Sequence, residues 1–299
     1  MITIGEPHSE NILEIVGCPI CGDLPGKVWL DDGKPTRYVR CPGCGTVYLS
    51  PRLSKITRIA GFNTKYSDIS NTKALAEARR SVLQIEAQIL QKLKSSGKLL
   101  DVGCNNGLFF EFFDKSNWLR YGVEIAEAAA SVAQQNHDAQ IFTGTLTAAH
   151  FPDRLFDLVT MIDMFYHVDD PHSVLAEVRR ILKPNGLMAI EIAGQAYMLT
   201  RSRGLICFLL SKQWTRLRTD STYLYWYSLP GLERLLRKSG FRVREWLVVT
   251  SLKSSGAEPA FLDQYARFIG WVSRDHSRYL TWAPKILCIA LPDSRDFYP

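Results

Sequence analysis

The stretch LLDVGCNNG at residues 99–107 decides the fold class of this chain. It begins with a short apolar run at residues 99–102, which is typical of a buried strand. It continues into a turn with Gly103 and Gly107, and a helical pattern starts at about residue 106. Glycines in such a turn let the backbone approach a ligand closely. We therefore expect residues 101–107 to border a binding crevice.

From residue 98 onward, short apolar runs alternate with helical patterns. The apolar runs lie at residues 99–102, 121–125, 140–143, 156–162 and 187–192, and the helical patterns begin at about residues 106, 126 and 171. This order predicts an α/β, Rossmann-like fold in which helices wrap a mostly parallel sheet. In such sheets ligands bind outside the carboxyl ends of the strands, where the strand order reverses.

Two acidic residues stand where the first two predicted strands end. Asp101 directly precedes the loop, and Glu124 closes the second strand. The dinucleotide fingerprint is Gly-x-Gly-x-x-Gly, whereas the glycines of this loop are at 103 and 107. An acid beside the loop repels pyrophosphate but suits a cationic ligand. The loop therefore favours a cationic nucleoside that bears an amino acid, with the ribose hydroxyls donating to Glu124.

At this point the sequence resembles the class I S-adenosylmethionine-dependent methyltransferases, whose first cofactor motif is DVGCxxG. The likeness continues through GTL at residues 144–146, FDLVTMIDMFYHVDDPHSVLAEVRRILKPNGLMAIEI at 156–192 and YWYSLPGLERLLRKSGFRV at 225–243. It covers about residues 98–250 and implies a mostly parallel seven-stranded sheet that binds S-adenosylmethionine. The cofactor residues that it implies are Asp101, Gly103, Cys104, Asn105 and Gly107 at the methionine end, Glu124 with Ile125 at the ribose, Thr145 and Leu146 at the adenine, and Asp163 and Met164 at the mouth.

Two residues depart from the family's pattern. Asn105 stands where a second glycine is usual, and Tyr166 stands where relatives commonly carry Glu. Asparagine tolerates positive φ better than other non-glycine residues, so Asn105 is compatible with the loop. Both departures leave open a catalytically silent binding module as an alternative.

His167 is the candidate general base. It follows the fourth predicted strand, and histidine titrates near neutral pH. The alternative is a structural histidine near the start of the helix at residue 171, which Asp169 or Asp170 would cap. His150 and His172 are weaker candidates.

Four of the seven cysteines form two knuckles, Cys18-Pro-Ile-Cys21 and Cys41-Pro-Gly-Cys44. This spacing is typical of a tetrahedral zinc site, and the pattern between the knuckles predicts a hairpin with its turn at Asp-Gly. Two disulfides are the alternative. An odd number of cysteines without a secretory signal favours a reducing compartment. The sequence therefore predicts a zinc ribbon with one structural Zn²⁺, in a protein that is cytoplasmic.

The positive charge of the chain is concentrated in one segment. The net charge is +6, and residues 200–245 hold ten Lys and Arg against three Asp and Glu. The ribbon is nearly balanced, which argues against nucleic acid as a partner because phosphate contacts require Lys and Arg. The resemblance places a substrate-covering lid at about residues 200–227, with Arg201, Arg203, Trp214, Arg216, Arg218, Tyr223 and Tyr225. We expect the lid to bind an anionic acceptor. The alternatives are a solvated basic face and a membrane-surface helix that delivers a lipid-like acceptor.

The chain is long enough for a core domain with an appended module. We expect a zinc ribbon at residues 1–50, a linker and N-terminal helices at 51–97, and a methyltransferase domain at 98–299 with an insertion at about 251–282. A stripe from Ala78 to Leu93 predicts a helix that starts after Asn71 or Thr72, and the insertion predicts a further helix that completes the acceptor pocket or forms a dimer face.

The predicted function is methyl transfer from S-adenosylmethionine to a small, anionic metabolite at O, N or C. The rival class is an RNA methyltransferase that docks through the ribbon. The sequence does not indicate the oligomeric state.

Overall fold

The computed structural model describes residues 13–22, 26–30, 35–66, 69–202, 223–249, 260–273 and 277–293. The N-terminal strands are β1 (Leu13–Glu14), β2 (Lys27–Leu30), β3 (Tyr38–Arg40), β4 (Val47–Leu49) and β5 (Arg52–Leu53). Strand β1 pairs with β5. Strands β2 and β3 pair antiparallel as the predicted hairpin requires, although its Asp-Gly turn at residues 32–33 lies outside the described residues. Strand β4 pairs antiparallel with β3.

Two helices follow the N-terminal strands, α1 (Lys55–Tyr66) and α2 (Ile69–Leu93). Because α2 already includes residues 69–71, the predicted start after Asn71 or Thr72 is wrong. Asn and Thr are only weakly unfavourable inside a helix, so neither residue stops it. The buried face of α2 consists of Val82, Leu83, Glu86, Ala87 and Leu90, which includes a carboxyl group that the apolar stripe did not indicate.

The large sheet has seven strands within the described residues. They are β6 (Gly97–Val102), β7 (Trp118–Glu124), β8 (Gln140–Thr143), β9 (Phe156–Met161), β10 (Leu182–Ile192), β12 (Phe241–Val248) and β13 (Ile286–Pro292), with β11 (Tyr225–Trp226) belonging to another sheet. Their order is β12-β13-β10-β9-β6-β7-β8. Only β13 runs antiparallel to its neighbours, so the predicted mostly parallel sheet is confirmed.

The order of the strands reverses between β6 and β9. From β6 the chain continues to β7 and β8 on one side of β6, whereas β9 and β10 lie on the other side of β6. The reversal opens a crevice at the carboxyl ends of β6 and β9, which is where open α/β sheets bind ligands.

Five further helices are α3 (Glu127–Asn136), α4 (Pro171–Ile181), α5 (Gln195–Ser202), α6 (Leu229–Lys238) and α7 (Ala260–Ser273). The predicted helix after the glycine loop is a short 3-10 helix, Leu108–Phe112. Asp170 caps α4 by accepting from the backbone N–H groups of His172 and Ser173. Asp169 takes no part in this cap and forms an ion pair with Arg58 of α1 instead. A proline at the first helical position and an acidic N-cap are a favoured helix start.

Side chains of the large sheet alternate between two apolar clusters. In β10, Met188, Ile190 and Ile192 face one cluster, and Leu187 and Ala189 face the other. The second cluster is completed by α2. The first includes Cys18, Tyr38 and Tyr48, so the N-terminal strands share a core with one face of the large sheet.

None of the helices in the described part of the chain combines the length and the apolar composition that a membrane span requires.

Candidate functional site

A cavity of about 790 Å³ opens at the carboxyl ends of the parallel strands. The predicted cofactor residues that line it are Asp101, Gly103, Cys104, Asn105, Glu124, Ile125, Thr145, Leu146, Asp163 and Met164. Gly107 does not line the cavity. A Cβ atom at Gly107 would lie 2.5 Å from Cδ2 of His137, so this glycine allows α3 to pack closely against the loop.

The loop after β6 accommodates asparagine in place of glycine. Asn105 has a φ of 50°, in the left-handed region that favours glycine. Its side-chain Oδ1 accepts a hydrogen bond of 2.7 Å from the backbone N–H of Asn106, which stabilises the turn locally. The departure from the family's pattern therefore leaves the loop conformation intact.

Glu124 ends β7 and is held by the backbone of two neighbouring turns. Its Oε2 accepts from the N–H of Asn105 at 2.8 Å, and its Oε1 accepts from the N–H of Ala126 at 2.9 Å. Burial raises the pKa of this carboxyl, while these N–H groups favour the ionised form. The carboxylate is thereby fixed at the rim of the cavity with lone pairs that a ligand hydroxyl can reach.

Asp101 lies deeper in the crevice and is 4% exposed. The hydroxyl of Thr160 donates to its Oδ1 at 2.7 Å. Burial raises the pKa of Asp101 to about 7. Neither Asp101 nor Glu124 forms an ion pair with any residue that the structure describes. Two acids without a cationic partner suit a positively charged nucleoside and repel a diphosphate, so the residues present fit S-adenosylmethionine.

A network of charged side chains around the buried Glu191 also borders the cavity, and the sequence did not indicate it. Arg79 donates to Asp163 at 2.8 Å and to Glu191 at 2.6 Å, and Lys285 donates to Glu191 at 2.7 Å. Burial would raise the pKa of Glu191, but the charges of Lys285 and Arg79 outweigh it and hold that pKa below its ordinary range. Burial raises the pKa of the neighbouring Glu86 well above its ordinary range. Burial and the charge of Glu191 thus favour the protonated form of Glu86, while Lys285 and Arg79 favour the ionised form of Glu191.

One signal in the sequence could have pointed to this network. Glu191 and Lys285 are single charged residues inside or beside apolar runs, and Glu86 lies on the apolar face of α2. A charge is rarely buried unless it is paired. Their pairing depends on contacts between distant segments, which the sequence pattern does not show.

Aromatic side chains line the cavity beyond the end of β9. Tyr166 and Tyr223 stack with their ring centroids 4.5 Å apart, and the ring of His167 lies 5.0 Å from that of Tyr223. His167 belongs to the short 3-10 helix Phe165–His167 and lines the cavity. The other two candidates lie elsewhere, since His150 is exposed and Nε2 of His172 contacts the carbonyl oxygen of Pro19 at 2.7 Å.

The predicted lid is described only at its ends. Arg203, Trp214, Arg216 and Arg218 lie outside the described residues, and Arg201 lies in α5. Tyr223 lines the cavity. Tyr225 packs away from it, with its hydroxyl accepting from Arg52 and donating to the carbonyl of Asp169, both at 3.0 Å.

The four knuckle cysteines lie together at the N-terminal side. The Sγ atoms of Cys18, Cys21, Cys41 and Cys44 are within 4.8 Å of one another, and all four are free thiols. A tetrahedral site with Zn–S bonds of about 2.3 Å places its sulfurs about 3.8 Å apart. The backbone N–H groups of Gly22 and Gly45 donate back to the carbonyls of Cys18 and Cys41, which closes both knuckle turns. This donor set fits Zn²⁺.

Comparison with curated proteins finds ubiquinone biosynthesis O-methyltransferases among the relatives. The chain is 32% identical over 129 residues to the ubiquinone biosynthesis O-methyltransferase of Pasteurella multocida, a match that covers 34% of this chain and 53% of that protein. It is 32% identical over 112 residues to the ubiquinone biosynthesis O-methyltransferase of Pseudomonas entomophila, with 34% and 48% covered. The chain thus matches about half the length of these relatives.

Two solved structures show the same fold. One is a chain from a complex that contains the Haloferax volcanii Trm112 methyltransferase activator, with a TM-score of 0.55, 18% identity, and 78% of this chain and 97% of that chain covered. The other is a SAM dependent methyltransferase from Aquifex aeolicus, with a TM-score of 0.50, 16% identity, and 75% and 98% covered.

The match to a family model is broader than that to the curated relatives. Residues 74–245, more than half of the chain, match the model described as a methyltransferase domain. This range contains the glycine loop, Asp101, Glu124 and His167, and the predicted resemblance is confirmed. The chain belongs to the methyltransferase domain family, and its fold is that of the class I S-adenosylmethionine-dependent methyltransferases.

Proposed function

We propose that this protein transfers the methyl group of S-adenosylmethionine to an oxygen atom of a small acceptor molecule. The observation that carries the proposal is the pair of buried carboxyl groups, Asp101 and Glu124, that face the cavity without a cationic partner among the described residues. The choice of oxygen is supported by the relatives, which are O-methyltransferases.

The residues of the cavity serve two purposes, which are to bind the cofactor and to align the acceptor with it. Glu124 accepts from the ribose hydroxyls, Thr145 and Leu146 border the adenine, and Asp101 faces the cationic methionine end. S-Adenosylmethionine supplies a methyl group that is already activated for transfer. The protein therefore needs chiefly to align the acceptor in line with the sulfur and to exclude water.

On the acceptor side, we propose His167 as the base that takes the hydroxyl proton. It lies beside Tyr166 and Tyr223, whose stacked rings form an aromatic wall for a flat acceptor. Both arginines on the described wall of the cavity, Arg58 and Arg79, are in ion pairs. Recognition of an anionic acceptor would therefore draw on Lys55, which also lines the cavity, and on the lid arginines.

Titration calorimetry with S-adenosylmethionine and S-adenosylhomocysteine tests cofactor binding. We expect the protein to bind both, and we expect Glu124→Ala to weaken binding at least tenfold, because the ribose hydroxyls lose their acceptor. Glu127→Ala is the matched control, since this exposed acid starts α3 three residues later and should leave the affinity unchanged. Absence of heat at millimolar ligand would indicate a silent module and would rule out the proposed enzyme.

The role of His167 is tested by turnover with an acceptor found through S-adenosylhomocysteine release from a metabolite extract. His167→Ala should lower kcat by about 10²-fold, the lower range for general base catalysis, without changing the cofactor affinity. His150→Asn, which changes an exposed histidine with a positive φ, is the control. A kcat of His167→Ala within threefold of the wild type would exclude a base role.

We also propose that Cys18, Cys21, Cys41 and Cys44 hold one structural Zn²⁺. Elemental analysis of the purified protein should give one zinc per chain. Cys41→Ser should lose the metal, whereas Cys288→Ala, which removes a buried thiol from β13, should keep it. One zinc per chain in Cys41→Ser would contradict the assignment.

A further inference from the structure

The sheet of the ribbon is completed by a strand from the methyltransferase part of the chain. Strand β11 pairs antiparallel with β4, with Tyr225 opposite Tyr48 and Trp226 opposite Val47. The resulting order is β11-β4-β3-β2. Strand β11 follows the predicted lid and precedes α6, so the hairpin between the cysteine knuckles and the end of the lid belong to one sheet.

Side-chain and backbone groups of the ribbon hold β11 and the two residues before it. The hydroxyl of Tyr38 donates to the carbonyl oxygen of Tyr223 at 2.7 Å. The backbone N–H of Leu49 donates to the carbonyl of Leu224 at 2.9 Å. The ring of Tyr38 also stacks on Trp226, with centroids 4.3 Å apart. Residues 223–226 are therefore fixed by the ribbon through both backbone and rings.

The second cysteine knuckle contacts the same region directly. The carbonyl of Cys44 accepts from the hydroxyl of Ser228 at 2.6 Å, and that hydroxyl also caps α6 by accepting from the N–H of Gly231. The carbonyl of Gly45 accepts from Nε2 of Gln195 at 2.8 Å. The backbone of the turn that would bind the metal thus positions the starts of α5 and α6.

On its other side, this segment forms the aromatic wall of the cavity. Tyr223 stacks on Tyr166, and the N–H of Leu224 donates to the carbonyl of Tyr166 at 2.9 Å. The cofactor carboxylates are held differently, Asp101 by Thr160 and Glu124 by the turns that follow β6 and β7. Contacts of the ribbon therefore reach the half of the cavity beyond β9.

We propose that the ribbon is a structural part of the acceptor site. Its sheet, organised by the metal at the cysteines, holds residues 223–228, and Tyr38 is a positioning residue for Tyr223. Loss of the metal or of the Tyr38 hydroxyl loosens the aromatic wall while the cofactor half keeps its geometry. The inference rests on the proposed function in one respect, because the proposed function assigns the half of the cavity beyond β9 to the acceptor.

Amide hydrogen exchange on the full-length, zinc-loaded protein tests this inference. Tyr38→Phe removes the bond to Tyr223 and keeps the ring, and we expect exchange at residues 223–226 to rise about fivefold, as loss of one net hydrogen bond implies. Tyr48→Phe is the matched control, because that hydroxyl accepts from the N–H of Gly26 inside the ribbon. It should leave exchange at residues 223–226 unchanged.

A second arm removes the metal with a chelator and measures both exchange and affinity for S-adenosylhomocysteine. We expect faster exchange at residues 223–226 and an affinity within threefold of the loaded protein. Unchanged exchange in Tyr38→Phe, equal rises in both tyrosine variants, or loss of cofactor affinity on chelation would each overturn the inference. Failure of the loaded wild type to bind the cofactor would instead contradict the proposed function, independently of the exchange result.

Discussion

Asp101 and Glu191 are both almost fully buried beside the cavity, yet their carboxyl groups ionise very differently. Asp101 has a hydroxyl as its partner, and burial raises its pKa to about 7. Glu191 contacts Arg79 and Lys285, whose charges lower its pKa despite its burial. The identity of the hydrogen-bonding partner decides the charge of a buried carboxyl. Asp101 is therefore available to a cationic ligand, whereas the negative charge of Glu191 is already balanced by Arg79 and Lys285.

The raised pKa of Asp101 predicts pH-dependent cofactor binding. A cationic ligand prefers the carboxylate, so the affinity for S-adenosylmethionine should rise as the pH increases from 6 to 8. Calorimetry over this range measures the effect. Asp101→Asn should bind S-adenosylmethionine more weakly and should not show the rise in affinity that titration of Asp101 causes. An identical pH profile for the wild type and the variant would contradict the role of Asp101 in cofactor binding.

The raised pKa of Asp101 also predicts how the stability of the protein changes with pH. The native protein holds a proton on Asp101 that the unfolded chain releases near pH 3.8, so the contribution of Asp101 is greatest below that pH and is lost as the pH rises through about 7. Denaturant unfolding at pH 5 and pH 8 should show Asp101→Asn gaining stability relative to the wild type at the higher pH. A relative gain at the lower pH would contradict the direction of the shift.

Glu86 and Glu191 offer a matched test of charge inside one network. Burial raises the pKa of Glu86 and favours its neutral form. Glu86→Gln introduces a neutral group of the same shape, and we therefore expect a loss of about 1 kcal/mol or less in the free energy of unfolding. Glu191→Gln leaves Arg79 and Lys285 without their shared anion, which should cost about 3–5 kcal/mol. Chemical denaturation distinguishes the two, and a larger loss for Glu86→Gln would mean that the proton is on the other carboxyl.

At the scale of elements, two adjacent acidic residues anchor the segment that leads into α4. Asp170 caps the helix, and the preceding residue, Asp169, forms an ion pair with Arg58 of α1. Asp170 thus attaches this segment to α4, and Asp169 attaches it to α1. The sequence narrowed the N-cap to these two residues, but their separate roles depend on where α1 lies.

Removal of the α4 cap has a defined cost. Asp170→Ala should lower the free energy of unfolding by about 1 kcal/mol, because two backbone N–H groups lose their acceptor. Asp153→Ala is the control, since that side chain is 71% exposed in its pair with Arg180 and such pairs contribute about 0–1 kcal/mol. Equal losses in urea denaturation would show that the cap has no special role.

Helix α7 presents a different question at this scale. Tyr265 and Ile269 pack inward, whereas Phe268 and Trp271 are 58% and 67% exposed. No described residue of α7 lines the cavity. The expectation that the insertion completes the acceptor pocket or forms a dimer face therefore stays a prediction.

At the scale of the whole molecule, the ribbon and the large sheet share one apolar cluster. Strand β11, which comes from the methyltransferase part of the chain, also pairs with β4 of the ribbon. We therefore expect chelation of the metal to shift a single thermal transition of the full chain to lower temperature. Cys41→Ser without chelator should match the chelated wild type, and calorimetry that shows two separate transitions would indicate an independent ribbon.

The residues around the glycine loop were predictable because their roles are local. Asp101 and Glu124 lie at the carboxyl ends of β6 and β7, Gly103 and Asn105 follow β6, and parallel strands bring their carboxyl ends to one edge. The cysteine knuckles were predictable for the same reason, since each pair spans one turn. Arg79 and Lys285 were missed because they meet Glu191 from segments 112 and 94 residues away.

The sequence by itself determined the α/β class, the cofactor loop and the four-cysteine cluster, because each depends on periodicity or short spacing along the chain. Only the tertiary structure decided that Asp101 forms no ion pair with a described residue while Glu191 forms two, since burial and pairing arise between distant segments. It also decided that β11 joins the ribbon sheet, because two exposed edges far apart in sequence satisfy their backbone hydrogen bonds by pairing with each other.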